Sequence, residues 1–219
     1  MARRQNSRRA WSRRKRAVLI AATLIGTALV ILADRGLVNP KWASLLAPGK
    51  QTRGDDLTRY HGTTATVVRV VDGDTLHLDT QDSAGQATKV RLIGIDAPEM
   101  GWGNVERMYY APEATAFAKQ ASLGRQVTIY LDEQAGSRDR YDRLLAYVRL
   151  PDGRFLNEEL LSEGFAYADM RFKHGYYQKY RQLESSARAL KKGLWAHVTP
   201  GQMPAWRQKR QTDPNAGSQ

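Results

Sequence analysis

The stretch that most constrains this chain is Val90 to Glu99, an apolar run that contains one arginine and ends on two acids. Side chains alternate between the two faces of a strand, and proline cannot donate a hydrogen bond to a strand ladder, so Pro98 ends the strand. Asp96 and Glu99 therefore lie at a strand end, in a turn that the proline stiffens. Two acids placed in this way can face one pocket, which suits a hard cation or an activated water.

Arg91 lies inside this apolar strand. Charged side chains are seldom buried unless they are paired with an opposite charge. A cation at this position therefore needs an acidic partner or a pocket that receives an anion. We interpret Arg91 as a functional residue, and the alternative is a purely structural ion pair.

The chain between residues 63 and 197 has the pattern of an α+β domain. Short β-rich runs between turn residues predict strands, and apolar residues at three-to-four spacing predict helices. Asp72-Gly73 is typical of a hairpin turn in which glycine supplies a positive φ angle. The predicted strands are 66–71, 76–79, 89–95, 126–131 and 143–150, and the predicted helices are 112–123, 155–163 and 177–190. This order predicts a five-stranded OB-fold-type β-barrel with three helices.

The basic charge of the chain is concentrated at its N-terminus. Lys and Arg number 34 against 22 Asp and Glu, which gives a formal net charge of +12 at pH 7. Eight of the cations lie in residues 1–16, where there is no acid, so the remaining 26 cations and 22 acids give only +4. A mildly basic domain is compatible with a polyanionic partner. The chain has no cysteine, which excludes disulfides and thiolate metal sites.

Residues 17–33 form an uncharged apolar run directly after this basic tail. Its length lies at the short end for a transmembrane helix and above that of a cleavable signal core, so we favour an anchor over a signal peptide. The positive-inside rule keeps residues 1–16 in the cytoplasm. The domain is therefore expected to be membrane-anchored and extracytoplasmic, or secreted if the segment is cleaved.

Two segments flank the predicted domain at residues 63–197. Residues 34–62 mix proline, glycine and scattered charges without a period, which predicts a linker. Residues 198–219 contain few residues to bury and are predicted to be a disordered tail.

Five blocks of sequence occur in a distinctive order and spacing: Asp72-Gly73-Asp74-Thr75, Arg91 to Glu99, Pro112-Glu113-Ala114, Arg140 to Tyr147, and Asn157-Glu158. Together they resemble the successive motifs of the staphylococcal nuclease (thermonuclease) family, from about residue 65 to about residue 195. The resemblance implies an oligonucleotide-binding barrel. It also implies a calcium-dependent phosphodiesterase that cuts DNA and RNA at the 5′-oxygen and leaves 3′-phosphates.

The chemistry of phosphodiester hydrolysis gives each of these residues a role. Asp74, Asp96 and the main-chain oxygen of Ala97 are candidate oxygen ligands for Ca²⁺. Glu99 is the candidate general base that takes a proton from the attacking water. Arg91 and Arg143 are candidates to bind the non-bridging phosphate oxygens, because a guanidinium matches that geometry and stays charged.

Other residues have weaker support. Tyr110 and Tyr141 are candidate substrate-binding residues, although single aromatic side chains more often serve packing. Asp142 stands where glycine is usual in the family. Aspartate tolerates a left-handed backbone, but its charge beside Arg143 would weaken attraction for phosphate.

Two other classes of function stay open from the sequence: a non-catalytic nucleic-acid-binding barrel tethered to a membrane, and an anchored scaffold. A degenerate binding module is expected to lack one or more of the three acids and two arginines, and all five are present. We expect a monomer that acts on DNA and RNA.

Overall fold

The structure is a computed structural model that describes residues 53–82, 85–101, 103 and 106–212. The predicted basic tail and the predicted anchor at 17–33 lie outside these residues, as do the first part of the predicted linker and residues 213–219. Within the described residues, no helix is long and apolar enough to cross a bilayer.

In the described residues, seven strands form a closed barrel and a small separate ladder. The strands are β1 (Thr64–Val70), β2 (Thr75–Gln81), β3 (Ala87–Leu92), β4 (Ile95–Asp96), β5 (Gln126–Leu131), β6 (Leu144–Arg149) and β7 (Tyr167–Ala168). The barrel order is β1-β2-β3-β6-β5, and β4 pairs with β7. β3 and β6 run parallel, whereas the other neighbours are antiparallel. The predicted five-stranded barrel is confirmed.

Five α-helices accompany the barrel in the described part of the chain: α1 (Arg53–Tyr60), α2 (Ala111–Ser122), α3 (Leu156–Ser162), α4 (Tyr177–Ala189) and α5 (Ala205–Thr212). The three predicted helices correspond to α2, α3 and α4. α2 begins with Pro112 in its first turn, where the missing N–H of proline costs no helical hydrogen bond, and Gly124 follows its end with a φ of 72°.

The predicted strand 89–95 is not continuous, because the chain turns between β3 and β4. Gly94 adopts a φ of 78°, and a Cβ atom there would lie 2.5 Å from the ring of His174. Only glycine fits this turn without strain. The turn brings Asp96 back toward Arg91, which a straight strand would not do.

The hairpin turn between β1 and β2 also differs from the prediction. β1 and β2 pair as expected, but Gly73 does not have a positive φ angle. Its small size is needed for another reason, since a Cβ atom would lie 2.6 Å from Cβ of Ala97. The absence of a side chain therefore lets the turn before β2 pack against the turn after β4.

The predicted linker and the predicted disordered tail both contain ordered helices, so these two predictions are corrected. α1 lies within 34–62, and its fully buried Asp56 accepts hydrogen bonds from Ser137 and Arg138. α5 lies within 198–219, and its Arg207 donates two hydrogen bonds to Glu184. The partners that order each helix lie far away in the sequence, so a local pattern did not reveal them.

Asn157 at the start of α3 joins the turn after β3 to β6. Its buried side chain donates to the main-chain oxygens of Ile93 and Ala146, at 3.0 and 3.3 Å, and accepts from the N–H of Val148 at 3.0 Å. The oxygen of Ala146 also accepts from the N–H of Ile93 at 3.0 Å, so the amide and this main-chain bond act together. Together they fix the turn that leads to the site.

We expect Asn157→Ala to lower the free energy of unfolding by about 3 kcal/mol, because a buried polar group left without a partner costs about 1–3 kcal/mol. Urea denaturation followed by circular dichroism measures the change. Gln182→Ala, on the exposed face of α4, is the control and should change the stability by less than about 0.5 kcal/mol. Equal effects of the two substitutions would contradict the role given to Asn157.

Candidate active site

The candidate site is organised around the guanidinium of Arg91, which is 12% exposed. Its Nη1 lies 3.1 Å from Oδ2 of Asp74, and its Nη2 donates to Oδ1 of Asp96 at 2.8 Å. Nη1 also donates to the main-chain oxygens of Leu92 and Ile95, at 2.9 and 2.8 Å. The buried cation is thus paired with two of the acids that the sequence assigned to the site.

Asp74 is almost completely buried at the start of β2. Its Oδ2 accepts a hydrogen bond from the N–H of Ala97 at 2.6 Å, and its Oδ1 accepts from the hydroxyl of Thr75 at 3.2 Å. Burial raises the pKa of Asp74 well above its usual range, while Arg91 opposes the shift and the carboxylates of Asp72 and Asp96 add to it. The site therefore holds more negative charge than Arg91 neutralises.

Asp96 at the end of β4 is contacted from three directions. Besides Arg91, the indole N–H of Trp206 donates to its Oδ2 at 2.7 Å, and Nη2 of Arg171 lies 3.6 Å from its Oδ1. Arg171 itself is held by Asp169 through two hydrogen bonds of 2.8 Å. No motif pointed to Arg171, and Trp206 lies in the segment predicted to be disordered, so the sequence reasoning missed both.

Arg143 and Arg91 lie on the same side of the sheet because of the parallel pairing of β3 and β6. Arg91 pairs with Leu145, and Arg143 precedes Leu145 by two residues, so the two arginines share a face. Nη1 of Arg143 lies 3.4 Å from the hydroxyl of Thr75, which pairs with Arg91 across β2 and β3. Both predicted phosphate-binding residues thus meet at one place.

Asp139 holds Arg143 in its orientation. One carboxylate oxygen accepts from Nε of Arg143 at 2.7 Å and the other accepts from its main-chain N–H at 3.0 Å. Asp142 adopts the expected left-handed conformation, with a φ of 62°, and its exposed carboxylate lies 3.6 Å from Arg138. The sequence had identified Asp142 as the acid beside Arg143 and had missed Asp139.

A cavity of about 730 Å³ opens beside these arginines. Cationic and aromatic side chains dominate its rim, and they include Arg91, Arg138, Arg140, Tyr141, Arg143, Arg171, Phe172 and Lys173. Asp74, Asp96 and Glu99 do not line this cavity, whereas Arg91 lines it and contacts both aspartates. A cavity with this lining attracts an anionic ligand with flat rings.

Glu99 lies after β4 in an exposed position, and its main-chain oxygen accepts a hydrogen bond from Met108 at 3.0 Å. Loss of water around its carboxyl raises the pKa of Glu99, and the carboxylates of Asp72 and Asp96 add to the shift. Arg91 and Arg143 oppose it. Glu99 therefore lies within the electrostatic field of the same acids and arginines, and a raised pKa suits a general base.

The two candidate tyrosines lie in different places. Tyr141 is 62% exposed on the rim of the cavity, and the guanidiniums of Arg140 and Arg143 lie 4.7 and 5.5 Å from its ring centre. Tyr110 lines a second cavity of about 630 Å³ and stacks on Phe165 with ring centres 5.7 Å apart. The structure thus places Tyr141 beside Arg143 and gives Tyr110 a packing contact.

The carboxylates of Asp74 and Asp96 are the kind of oxygen ligand that a hard cation prefers. In the described parts of residues 53–212, no group of three or more His, Cys, Asp or Glu side chains is arranged to hold a metal ion. If Asp74, Asp96 and the carbonyl of Ala97 bind a cation, water and substrate oxygens would have to complete the coordination. Burial is the main cause that raises the pKa of Asp74, the carboxylates of Asp72 and Asp96 add to it, and a cation nearby would favour the ionised form.

We expect Asp74→Asn to raise the free energy of unfolding at pH 7 in the presence of a chelator. Stability linked to a raised folded pKa is complete below the unfolded pKa of about 4 and is lost as the pH rises through the folded pKa. An amide does not ionise, so its advantage should be largest at neutral pH and should shrink toward about pH 4. Urea denaturation between about pH 4 and pH 8 measures this difference.

Asp79→Asn provides the control of opposite sign. Asp79 is exposed, and hydrogen bonds from Thr66 lower the pKa of its carboxyl, so its contribution is present at neutral pH and is lost in acid. The amide at position 79 should therefore be slightly less stable than the parent at pH 7. A parent chain more stable than Asp74→Asn at pH 7 would contradict the electrostatic description of the site.

Comparison with known proteins identifies the family of the chain. A family model described as staphylococcal nuclease homologue matches residues 89–197. The chain is 36% identical over 142 residues to the thermonuclease of Staphylococcus hyicus, which covers 64% of this chain and 80% of the relative. It is 33% identical over 150 residues to an uncharacterized endonuclease of Escherichia coli O157:H7, covering 66% and 84%. It is 39% identical over 111 residues to the thermonuclease of Staphylococcus intermedius, covering 51% and 62%. Residues 89–197 contain Arg91, Asp96, Glu99 and Arg143, whereas Asp74 precedes them. The chain belongs to the staphylococcal nuclease family and is a hydrolase with nuclease function.

Proposed function

We propose that this nuclease is a calcium-dependent endonuclease that hydrolyses DNA and RNA at the 5′-O–P bond and leaves 3′-phosphates. The observation that carries the proposal is the convergence of Asp74 and Asp96 on Arg91, with Arg143 on the same face. Oxygen ligands, a base and two guanidiniums are the groups that metal-assisted attack of water on a phosphodiester requires.

The arginines supply the charge stabilisation. The hydrogen bonds of Arg91 to Leu92, Ile95 and Asp96 use both N–H groups of Nη1 and one of Nη2, so the N–H of Nε and the second N–H of Nη2 are the donors proposed for a phosphate oxygen. Arg143 is 26% exposed and is oriented from its Nε side by Asp139, which leaves its outer nitrogens toward the cavity. Charge that builds up on the non-bridging oxygens during attack is thus neutralised without rearrangement of the protein.

Glu99 acts on the attacking water. Its carboxylate accepts a proton from the water as the new P–O bond forms, and the bond to the 5′-oxygen breaks on the opposite side. When bound, Ca²⁺ would polarise the phosphate and neutralise its charge. Asp74, Asp96 and the Ala97 carbonyl are the groups that would hold the ion, and Tyr141 would stack on a base at the rim.

The second candidate function is a nucleic-acid-binding barrel without catalysis. The basic rim of the cavity supports binding as well as cleavage. The buried Asp74 does not help a purely binding protein, because its ionised form repels a polyanion and burial of that charge costs stability. We further propose that residues 17–33 anchor the chain in a membrane with the nuclease domain outside the cytoplasm.

Purified full chain should cleave plasmid DNA and single-stranded RNA with Ca²⁺, and a chelator should abolish cleavage. Glu99→Gln removes the base but keeps the size of the side chain, so kcat should fall by about 10²–10⁴-fold. Nuclease assays with 3′-end analysis of the products measure this. Tight binding of DNA without cleavage, in the presence of Ca²⁺, would favour the non-catalytic alternative.

Arg143 gives a cleaner test of phosphate binding than Arg91, because Arg91 also pairs with two buried acids. Arg143→Ala should lower kcat by about 10²–10³-fold, as expected for loss of one donor to transition-state charge. Arg154→Ala, which removes a surface arginine paired with Asp152 and Glu159, should leave the rate within about twofold. A similar rate for the two variants would exclude Arg143 from the phosphate site.

A further inference from the structure

Trp206 connects a C-terminal helix to the candidate metal ligands. It lies on α5, beyond residues 89–197 that match the family model. Its indole N–H donates to Oδ2 of Asp96 at 2.7 Å, and the two residues are 110 positions apart in the chain. A hydrogen bond of this length to a carboxylate is among the stronger kinds in proteins.

α5 is fixed in this position by contacts that do not involve Asp96. Arg207 donates to both carboxylate oxygens of Glu184, at 2.6 and 2.8 Å, and both side chains are largely buried. The guanidinium of Arg207 also lies 5.2 Å from the ring centre of Tyr167 and 5.1 Å from that of Trp195. The indole of Trp206 is therefore presented to Asp96 by a helix with its own anchors.

Arg171 packs over the indole ring of Trp206. Its guanidinium lies 4.7 Å from the Trp206 ring centre, and its Nη2 lies 3.6 Å from Oδ1 of Asp96. Asp169 fixes Arg171 through two further hydrogen bonds. The position of Trp206 is therefore fixed by α5, which Arg207 anchors, and by Arg171 over its ring. These contacts set the direction of its N–H.

These contacts divide the two oxygens of Asp96 between different partners. Oδ1 faces Arg91 and Arg171, whereas Oδ2 accepts a hydrogen bond from Trp206. A carboxylate oxygen has two lone pairs, so Oδ2 keeps one for a cation while the indole fixes the plane of the carboxylate. Donors that orient a metal-binding side chain in this way raise its affinity for the ion.

We propose that Trp206 is a positioning residue, which holds the Asp96 carboxylate in the orientation that binds the divalent cation. The inference rests on the proposed function, because it requires Asp96 to be a metal ligand. The C-terminal segment then contributes to the nuclease site through the hydrogen bond from Trp206 to Asp96. The same hydrogen bond would be absent from a chain that ended at residue 197.

Trp206→Phe tests this directly, because phenylalanine keeps a ring against Arg171 and removes only the N–H donor. Isothermal titration of the full chain with Ca²⁺, without substrate, should show affinity weakened by about 10-fold or more. The Ca²⁺ concentration for half-maximal cleavage should rise by a similar factor, and kcat at saturating Ca²⁺ should change little. Unchanged or tighter Ca²⁺ binding would overturn the inference.

Trp195→Phe is the matched control. Trp195 is buried in the same cluster as Met203 and Trp206, but its indole nitrogen has no hydrogen-bond partner in the described residues. Trp195→Phe should bind Ca²⁺ with the affinity of the parent. Thermal melts in chelator should show whether either substitution lowers the melting temperature. An equal loss of affinity in both variants would show that packing, not the N–H of Trp206, is responsible and would overturn the inference.

The Ca²⁺ titrations and cleavage assays distinguish failure of the proposed function from failure of the role given to Trp206. If the parent chain binds no Ca²⁺ in the titration, the proposed cofactor is wrong and the inference falls with it. If the parent binds Ca²⁺ and cleaves DNA while Trp206→Phe behaves identically, the proposed function stands and only the positioning role of Trp206 is rejected.

Discussion

The pairing of Arg91 with Asp74 and Asp96 is the interaction on which the site depends. A guanidinium inside an apolar strand is stable only with compensating charge and hydrogen bonds. Asp74 comes from the start of β2 and Asp96 from the short β4, so the ion pairs join three elements. The turn at Gly94 and the close approach of Gly73 to Ala97 are needed to bring these elements together.

The carboxylates of Asp74 and Asp96 share the single guanidinium of Arg91, so the two negative charges exceed the one positive charge between them. Burial raises the pKa of Asp74, and the neighbouring carboxylates add to the shift. In a site with only a structural purpose, replacement of the whole buried ion-pair cluster by apolar side chains of similar volume would cost little stability. The retained charge is explained if the site is completed by a cation and a phosphate, which Asp74, Asp96 and the two arginines would hold together.

The sequence was sufficient for those parts of the fold and site that depend on local patterns. Alternating apolar residues identified the five barrel strands, and the arginine in an apolar strand identified the centre of the site. The break at Gly94 was missed because its cause is the ring of His174, eighty residues away in the chain. Asp139, Arg171 and Trp206 were missed for a similar reason, since each acts through a contact that no local period encodes.

The order of α5 shows how a polar segment can fold without a substantial core of its own. Residues 198–212 supply few apolar side chains, which favoured disorder from composition alone. Glu184 of α4 and Asp96 of β4 each offer a largely buried carboxylate, and an unpaired carboxylate there would be costly. Arg207 donates hydrogen bonds to Glu184, and Trp206 donates one to Asp96. Hydrogen bonds to these two largely buried carboxylates therefore stabilise α5. α5 thereby also reaches the candidate metal ligand Asp96, so its folding and the geometry of the site are physically linked.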